Sequence, residues 1–229
     1  MATTSRAEKK FRSITKLIAE NLRKGILTGK RAPGERFSEE KLAASLKVSP
    51  IPLRDALRRL EVEGYVTFKS HDEIAISKPT LDEIEDYYTI AGVLEGLAAR
   101  LAVERGSAEE IARLRELHQL LKQAYQGKDL VRYFDANTKF HSYIAEMARN
   151  ERLHRLIRQM RHEIQKTRIL TLHLPHRPDY SMREHDQILD AFLKRNSELA
   201  ESLVLSHMKN QMNTIKKMLQ SEGGNHAHS

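Results

Sequence analysis

The sequence predicts a mostly α-helical chain of 229 residues in two parts. The first is a short unit of three helices closed by a β-hairpin, and the second is an all-α bundle of six helices. Three observations lead there. Apolar residues recur at helical spacing through most of the chain, whereas the two-residue alternation of strands is confined to 65–76. Turn residues cluster at a few places and divide the helical text into lengths typical of globular helices. Positive charge is gathered at one end: residues 1–78 hold 17 Lys and Arg against 10 Asp and Glu, and the rest hold 22 against 21.

In the first part, residues 1–8 read as a polar arm. A helix over about 9–27 turns Phe11, Ile14, Leu17, Ile18, Leu22 and Ile26 to one side, and residues 28–34 (TGKRAPG) stop it. Two short helices follow around the tight turn Leu46-Lys47-Val48-Ser49. The first carries Leu42, Ala43 and Leu46 behind an N-capping Ser38, and the second carries Leu53, Ala56, Leu57 and Leu60 in one stripe. Ser49 is placed to cap the second, with Pro50 and Pro52 in its first turn, where a missing N–H is harmless. With that stripe inward, Ile51, Arg54 and Arg58 share the solvent face, and arginines one turn apart on a short helix suit a DNA major groove. Residues 65–68 and 73–76 alternate as strands, with Lys69 and His71 at the tip between them.

Composition narrows the function classes. A basic module joined to a nearly neutral body fits phosphate neutralisation by one part and another task for the other. There is no cysteine, hence no disulfide, thiolate site or cysteine nucleophile. No stretch approaches the roughly 18 apolar residues of a membrane span, and the N-terminus lacks a signal-peptide apolar region. The expectation is a soluble intracellular protein.

The run from Pro33 to Val66 resembles the winged helix-turn-helix of the GntR family of bacterial transcription regulators. The resemblance rests on Pro33-Gly34-Glu35, Glu39, Leu42-Ala43, Val48-Ser49, Pro52 to Leu57, Leu60-Glu61 and Glu63-Gly64. It implies a DNA-binding unit over 9–78, with Ser49, Ile51, Arg54, Arg58, Lys69 and His71 as DNA-contacting residues. Two departures are visible. Pro50 stands where many relatives carry a base-reading Arg, and His71-Asp72 replaces the common tip glycine. An altered half-site follows, with Ile51 suited to a thymine methyl.

Beyond Lys78-Pro79, Thr80 with Glu83 three residues on reads as a capping box. Helices are expected over about 80–105, 107–126, 128–148, 150–173, 178–195 and 197–220, giving a second domain over 79–220 and a disordered tail over 221–229. Asn137 and His141 lie at i, i+4 on one face, and His185 and His207 come from two further helices. Three imidazoles and one side-chain oxygen converging between helices make a workable shell for a divalent ion.

This second region resembles the FCD ligand-binding domain of FadR-type regulators. His141, His185 and His207 occupy its three histidine positions, and Leu94-Glu95, Ala98-Ala99, Leu101-Ala102 and Asn150 to Leu153 match its framework. The resemblance implies a divalent metal at Asn137, His141, His185 and His207, with zinc first and nickel or manganese also accepted by such donors. It further implies a small carboxylate effector, a homodimer on a near-palindromic operator, and a cytoplasmic repressor rather than an enzyme.

Asn137 stands where the family usually has Asp, so the donor set is neutral and leaves the full 2+ charge to the effector. Asp135 is no substitute, since two residues along a helix turn it about 160° away. Ala91 stands where the family often has Arg. Arg161, Arg168, Tyr87 and Tyr88 are candidate pocket residues, yet helical charges and aromatics are commonly solvated face or core. Two other readings stay open: a regulator with structural histidines and a metal-free pocket, and a three-histidine metalloenzyme, for which no motif places a general base. A smaller possibility is adventitious metal binding by His226 and His228 in the tail, which would contaminate any metal assay.

Overall fold

A computed structural model describes residues 6–28, 30–70, 72–171 and 177–225, so His71 and residues 226–229 lie outside the described part. The chain forms two compact units, Met1–Pro79 with Gln165–His173, and Thr80–Ile164 with Leu174–Ser229. Among the described residues, no helix is long and apolar enough to cross a membrane.

The first unit contains α1 (Arg6–Leu27), β1 (Arg36–Ser38), α2 (Glu39–Leu46), α3 (Pro50–Val62), β2 (Val66–Phe68) and β3 (Glu73–Ile76). The apolar stripe of α3 is its anchor: Leu53, Ala56, Leu57 and Leu60 are fully buried. Each leucine so buried contributes about 1.5–3 kcal/mol. Ser38 caps α2 by accepting from the Lys41 N–H, and Lys47 ends it in the left-handed region at φ 53°. Gly64, at φ 79°, makes the sharp exit from α3 into β2 that a side chain would strain. Arg23 of α1 clamps Glu63 with Nε and Nη2, at 2.8 and 2.6 Å, which fixes α1 against the end of α3.

The hairpin belongs to a three-stranded antiparallel sheet in the order β1-β3-β2. Phe37 of β1 and Phe68 of β2 both pair with Ile74 of β3, so one cross-strand row is apolar throughout. The strand β1 is a finding beyond the sequence reading, because three residues with one apolar member carry no period. Ser49 has the backbone of an N-cap but makes no side-chain cap bond. Pro52 removes one of the two N–H groups a cap can bind, which leaves the hydroxyl exposed.

Beyond Pro79 every element among the described residues is a helix: α4 (Leu81–Arg105), α5 (Ala108–Gln126), α6 (Leu130–Met147), α7 (Glu151–Thr171), α8 (Arg177–Leu193) and α9 (Ser197–Asn225). Both halves of the capping box form at Thr80–Glu83 and again at Ser107–Glu110. The helix α9 runs to Asn225, past the expected stop at 220. The core gathers Ala99, Leu114, Phe140, Ile188, Phe192 and Val204 from α4, α5, α6, α8 and α9. A Cβ on Gly96 would stand 3.2 Å from the Glu201 carbonyl oxygen, so glycine lets α4 and α9 approach closely. This packing brings the inner faces of α6, α8 and α9 together.

Candidate functional site

The first unit presents the face expected of a DNA reader. Ile51 is 74% exposed at the start of α3, and Ser49 is exposed beside it. Arg54 lies one turn further on, with its Nε donating to Glu39 Oε2 at 2.8 Å. Glu39 is buried, so it holds the guanidinium by one edge and leaves the Nη end for an acceptor. Arg58 is placed differently: it sits 4.0 Å from the centre of the Phe68 ring and donates to Glu61 at 2.8 Å. This packing joins α3 to the sheet through a cation–π contact. Lys69 is exposed at the hairpin tip, its N–H bonded to the Glu73 carbonyl. His71 falls outside the described residues.

In the second unit, ligand atoms of His141, His185 and His207 lie within 4.8 Å of one another, and all three residues are buried. Each enters from a different helix. Phe140 packs edge-on against the rings of His141 and His185, with centroids 5.5 and 5.4 Å away, which limits their rotation. Asn137 is buried one turn ahead of His141 on α6.

The partners of the Nδ1 atoms decide what the cluster can do. His141 Nδ1 lies 3.2 Å from Glu95 Oε2, His185 Nδ1 lies 2.6 Å from the Ser181 carbonyl oxygen, and His207 Nδ1 lies 2.6 Å from Glu184 Oε2. A backbone carbonyl and ionised carboxylates only accept, so each Nδ1 carries the ring proton and each Nε2 a lone pair. His141 Nε2 and His185 Nε2 are nevertheless 3.1 Å apart. Two lone pairs facing at that distance call for a cation between them. Two nitrogens each about 2.0–2.1 Å from one ion, at about 90–110° to each other, lie roughly 2.9–3.4 Å apart. The donor set therefore fits a divalent metal, and the Nδ1 acceptors are the supports such ligands use.

Protonation is disfavoured in the same place. Burial, and then the charge of Arg161, push His141 down to about 3. Burial, with the two neighbouring imidazoles, holds His185 well below its ordinary value. Burial opposes ionisation of Glu95, yet Arg161 and His141 outweigh it and bring the carboxyl down to about 2. His141 and His185 are thus kept neutral and available as ligands.

Several site residues carried no role in the sequence reading, and Arg161 only that of a candidate pocket residue. Glu95 and Glu184 were visible only as neighbours in a pattern, because their work depends on which helices meet. Glu184 places a carboxylate one imidazole away from the Nε2 cluster, whereas the charge of Glu95 is met by Arg161. Gln211, one turn after His207, puts its amide nitrogen 2.6 Å from His207 Nε2. That amide donates to the lone pair and must yield it to an ion. Arg161 donates to Glu95 from α7 at 2.5 Å.

The comparisons with known proteins agree with both units. Residues 14–76 match the bacterial regulatory proteins of the gntR family, and residues 86–210 match the FCD domain. The chain is 31% identical over 200 residues to the HTH-type transcriptional regulator YdhC of Bacillus subtilis, covering 87% of this chain and 89% of that protein. It is 30% identical over 188 residues to the Nta operon transcriptional regulator of Aminobacter aminovorans, covering 82% and 87%. In fold it is similar to McbR/YncC of E. coli, with a TM-score of 0.69, 21% identity, and 90% and 98% of the two chains covered. The chain belongs to the GntR family of bacterial transcription regulators, in the branch that carries an FCD domain.

Proposed function

We propose that the protein is a cytoplasmic transcription repressor that binds a near-palindromic operator as a homodimer and is controlled by a small carboxylate effector at a divalent metal. The observation that carries the metal half is the set of three imidazoles with Nδ1–H engaged on acceptors and Nε2 lone pairs converging. His141, His185 and His207 would hold the ion, with Asn137 as an oxygen donor. Zinc is the first candidate, and nickel and manganese accept the same donors. The ion would supply a positive centre for a carboxylate, while the protein's own residues orient the imidazoles and exclude water. Ser49, Ile51, Arg54, Arg58, Lys69 and His71 would meet DNA, with Arg54 and Arg58 first among them.

Regulation needs a difference in effector affinity between the DNA-competent and the released state, about 1.4 kcal/mol for each tenfold change in operator affinity. Catalysis is not part of this reading. Glu95 and Glu184 are engaged on imidazole N–H groups, which suits positioning and not general-base work.

The test is a thermal-shift screen of small carboxylic acids, with and without prior chelation, on full-length protein carrying His226→Ala and His228→Ala. A ligand at 100 times its dissociation constant adds about 2.7 kcal/mol of stability. A shift abolished by chelation is the expected result. A shift that survives chelation leaves a regulator with structural histidines and a metal-free pocket.

A further inference from the structure

Arg161 does more than its ion pair with Glu95 requires. Its side chain is 11% exposed, and Nη2 donates to Glu95 Oε2 at 2.5 Å. Its Nε and Nη1 are buried and, among the described residues, without a hydrogen-bond partner. Neutralising Glu95 takes one positive charge and one donor, which a lysine would supply. A guanidinium has five N–H donors in a fixed planar fork, suited to the paired oxygens of a carboxylate. Buried donors left unmet are rare in folded proteins, and ligands commonly meet them.

The position of these donors gives them a chemistry. Glu95 Oε2 accepts from Arg161 Nη2 and also faces His141 Nδ1 at 3.2 Å. The guanidinium and the histidine centre thus share one oxygen atom. An anion at the imidazole cluster has a second cationic receptor a single carboxylate away, built on another helix, α7.

Resting on the function proposed above, we infer that Arg161 receives a second carboxylate of the effector through Nε and Nη1, so that the effector is a small dicarboxylic acid spanning the histidine centre and α7. Arg161 is then a specificity residue: a monocarboxylate reaches the histidine centre alone, and a diacid reaches both.

The experiment uses the full-length chain carrying His226→Ala and His228→Ala, loaded with zinc. Acetate, malonate, succinate and glutarate are titrated by calorimetry, with melting temperature as a second readout. At least one diacid is expected to bind about tenfold tighter than acetate or better. In Arg161→Lys, which keeps a cation on Glu95, that preference, read as the ratio of diacid to acetate affinity within the variant, is expected to fall below about threefold. Arg161→Gln also removes the cation from Glu95, so its zinc affinity is expected to fall along with the diacid preference, and the lysine variant separates the two effects. A diacid preference that persists in Arg161→Lys overturns the inference, as does chelation-sensitive acetate binding with no diacid preference in the parent. Diacid binding that survives chelation but is lost in Arg161→Lys supports Arg161 and overturns the metal tether. Absence of binding by every acid overturns both.

Discussion

Replacing Glu184 by glutamine isolates the part of the site that makes His207 a ligand. Glu184 is 17% exposed at its side chain, accepts from His207 Nδ1 at 2.6 Å through Oε2, and accepts from Asn210 Nδ2 at 2.9 Å through Oε1. Glutamine keeps the size but offers one acceptor and no charge. A hydrogen bond to a charged group contributes about 1.5–3 kcal/mol and a neutral one about 0.5–1.5, so the exchange removes roughly 1–1.5 kcal/mol from the His207 contact. Loss of a supporting carboxylate weakens metal binding by about 10- to 100-fold in such centres. The two lines meet near tenfold. If the glutamine turns its amide nitrogen to Nδ1, the ring proton moves to Nε2 and the loss is larger, because the lone pair aimed at the ion is gone. The assay is competition for zinc against a chromogenic chelator, with denaturant unfolding of the metal-free protein alongside. Zinc affinity within about twofold of the parent, accompanied by the expected fall in metal-free stability, would refute the reasoning and make the Glu184–His207 contact purely structural.

Three further outcomes follow from the same geometry. In chelated protein, His141 is held down at about 3, so protons add to the unfolded chain first and stability is lost as pH falls below about 6.5; this group alone removes roughly 2 kcal/mol between pH 7 and 5, and the lowered His185 acts in the same direction, to be read from urea midpoints, and a flat profile contradicts the assignment. Arg54→Ala should weaken binding to an operator selected from random DNA by roughly 1–3 kcal/mol and relax one base pair, and Glu39→Gln should give part of that loss by freeing the Nε edge; normal footprints from both would remove Arg54 from the reading face. Phe140→Ala, at a fully buried position against two of the imidazoles, should cost about 3–5 kcal/mol of stability and loosen metal binding with it, and a stable variant with unchanged zinc affinity would show that the ring does not position them.

How far the chain could be read differs between its parts, for physical reasons. The stripe of Leu53, Ala56, Leu57 and Leu60 predicts which side of α3 is buried, because spacing along a helix is itself geometry. The caps at Ser38 and Thr80 are equally local and equally legible. The strand β1 was not, since Phe37 alone makes no alternation and its pairing partner Ile74 lies far along the chain. The histidines show the limit most clearly. Periodicity puts Asn137 and His141 on one face, but only family resemblance picks His185 and His207 from eleven histidines. The supports of their Nδ1 atoms follow from helix crossings that no local pattern encodes. Arg161 sits among Arg152, Arg155 and Arg158 on one helix, and in sequence it looks like any solvated arginine. Its burial against Glu95 separates it from them.

The metal centre is tested most directly by the metal content of full-length protein carrying His226→Ala and His228→Ala, purified without chelator and measured by mass spectrometry, beside the same protein with His185→Ala added. The account predicts about one divalent ion per chain, bound through the three imidazoles and lost or sharply reduced when His185 is removed. An ion content indifferent to His185, or a parent protein that holds no ion after dialysis against zinc, nickel or manganese, would contradict it.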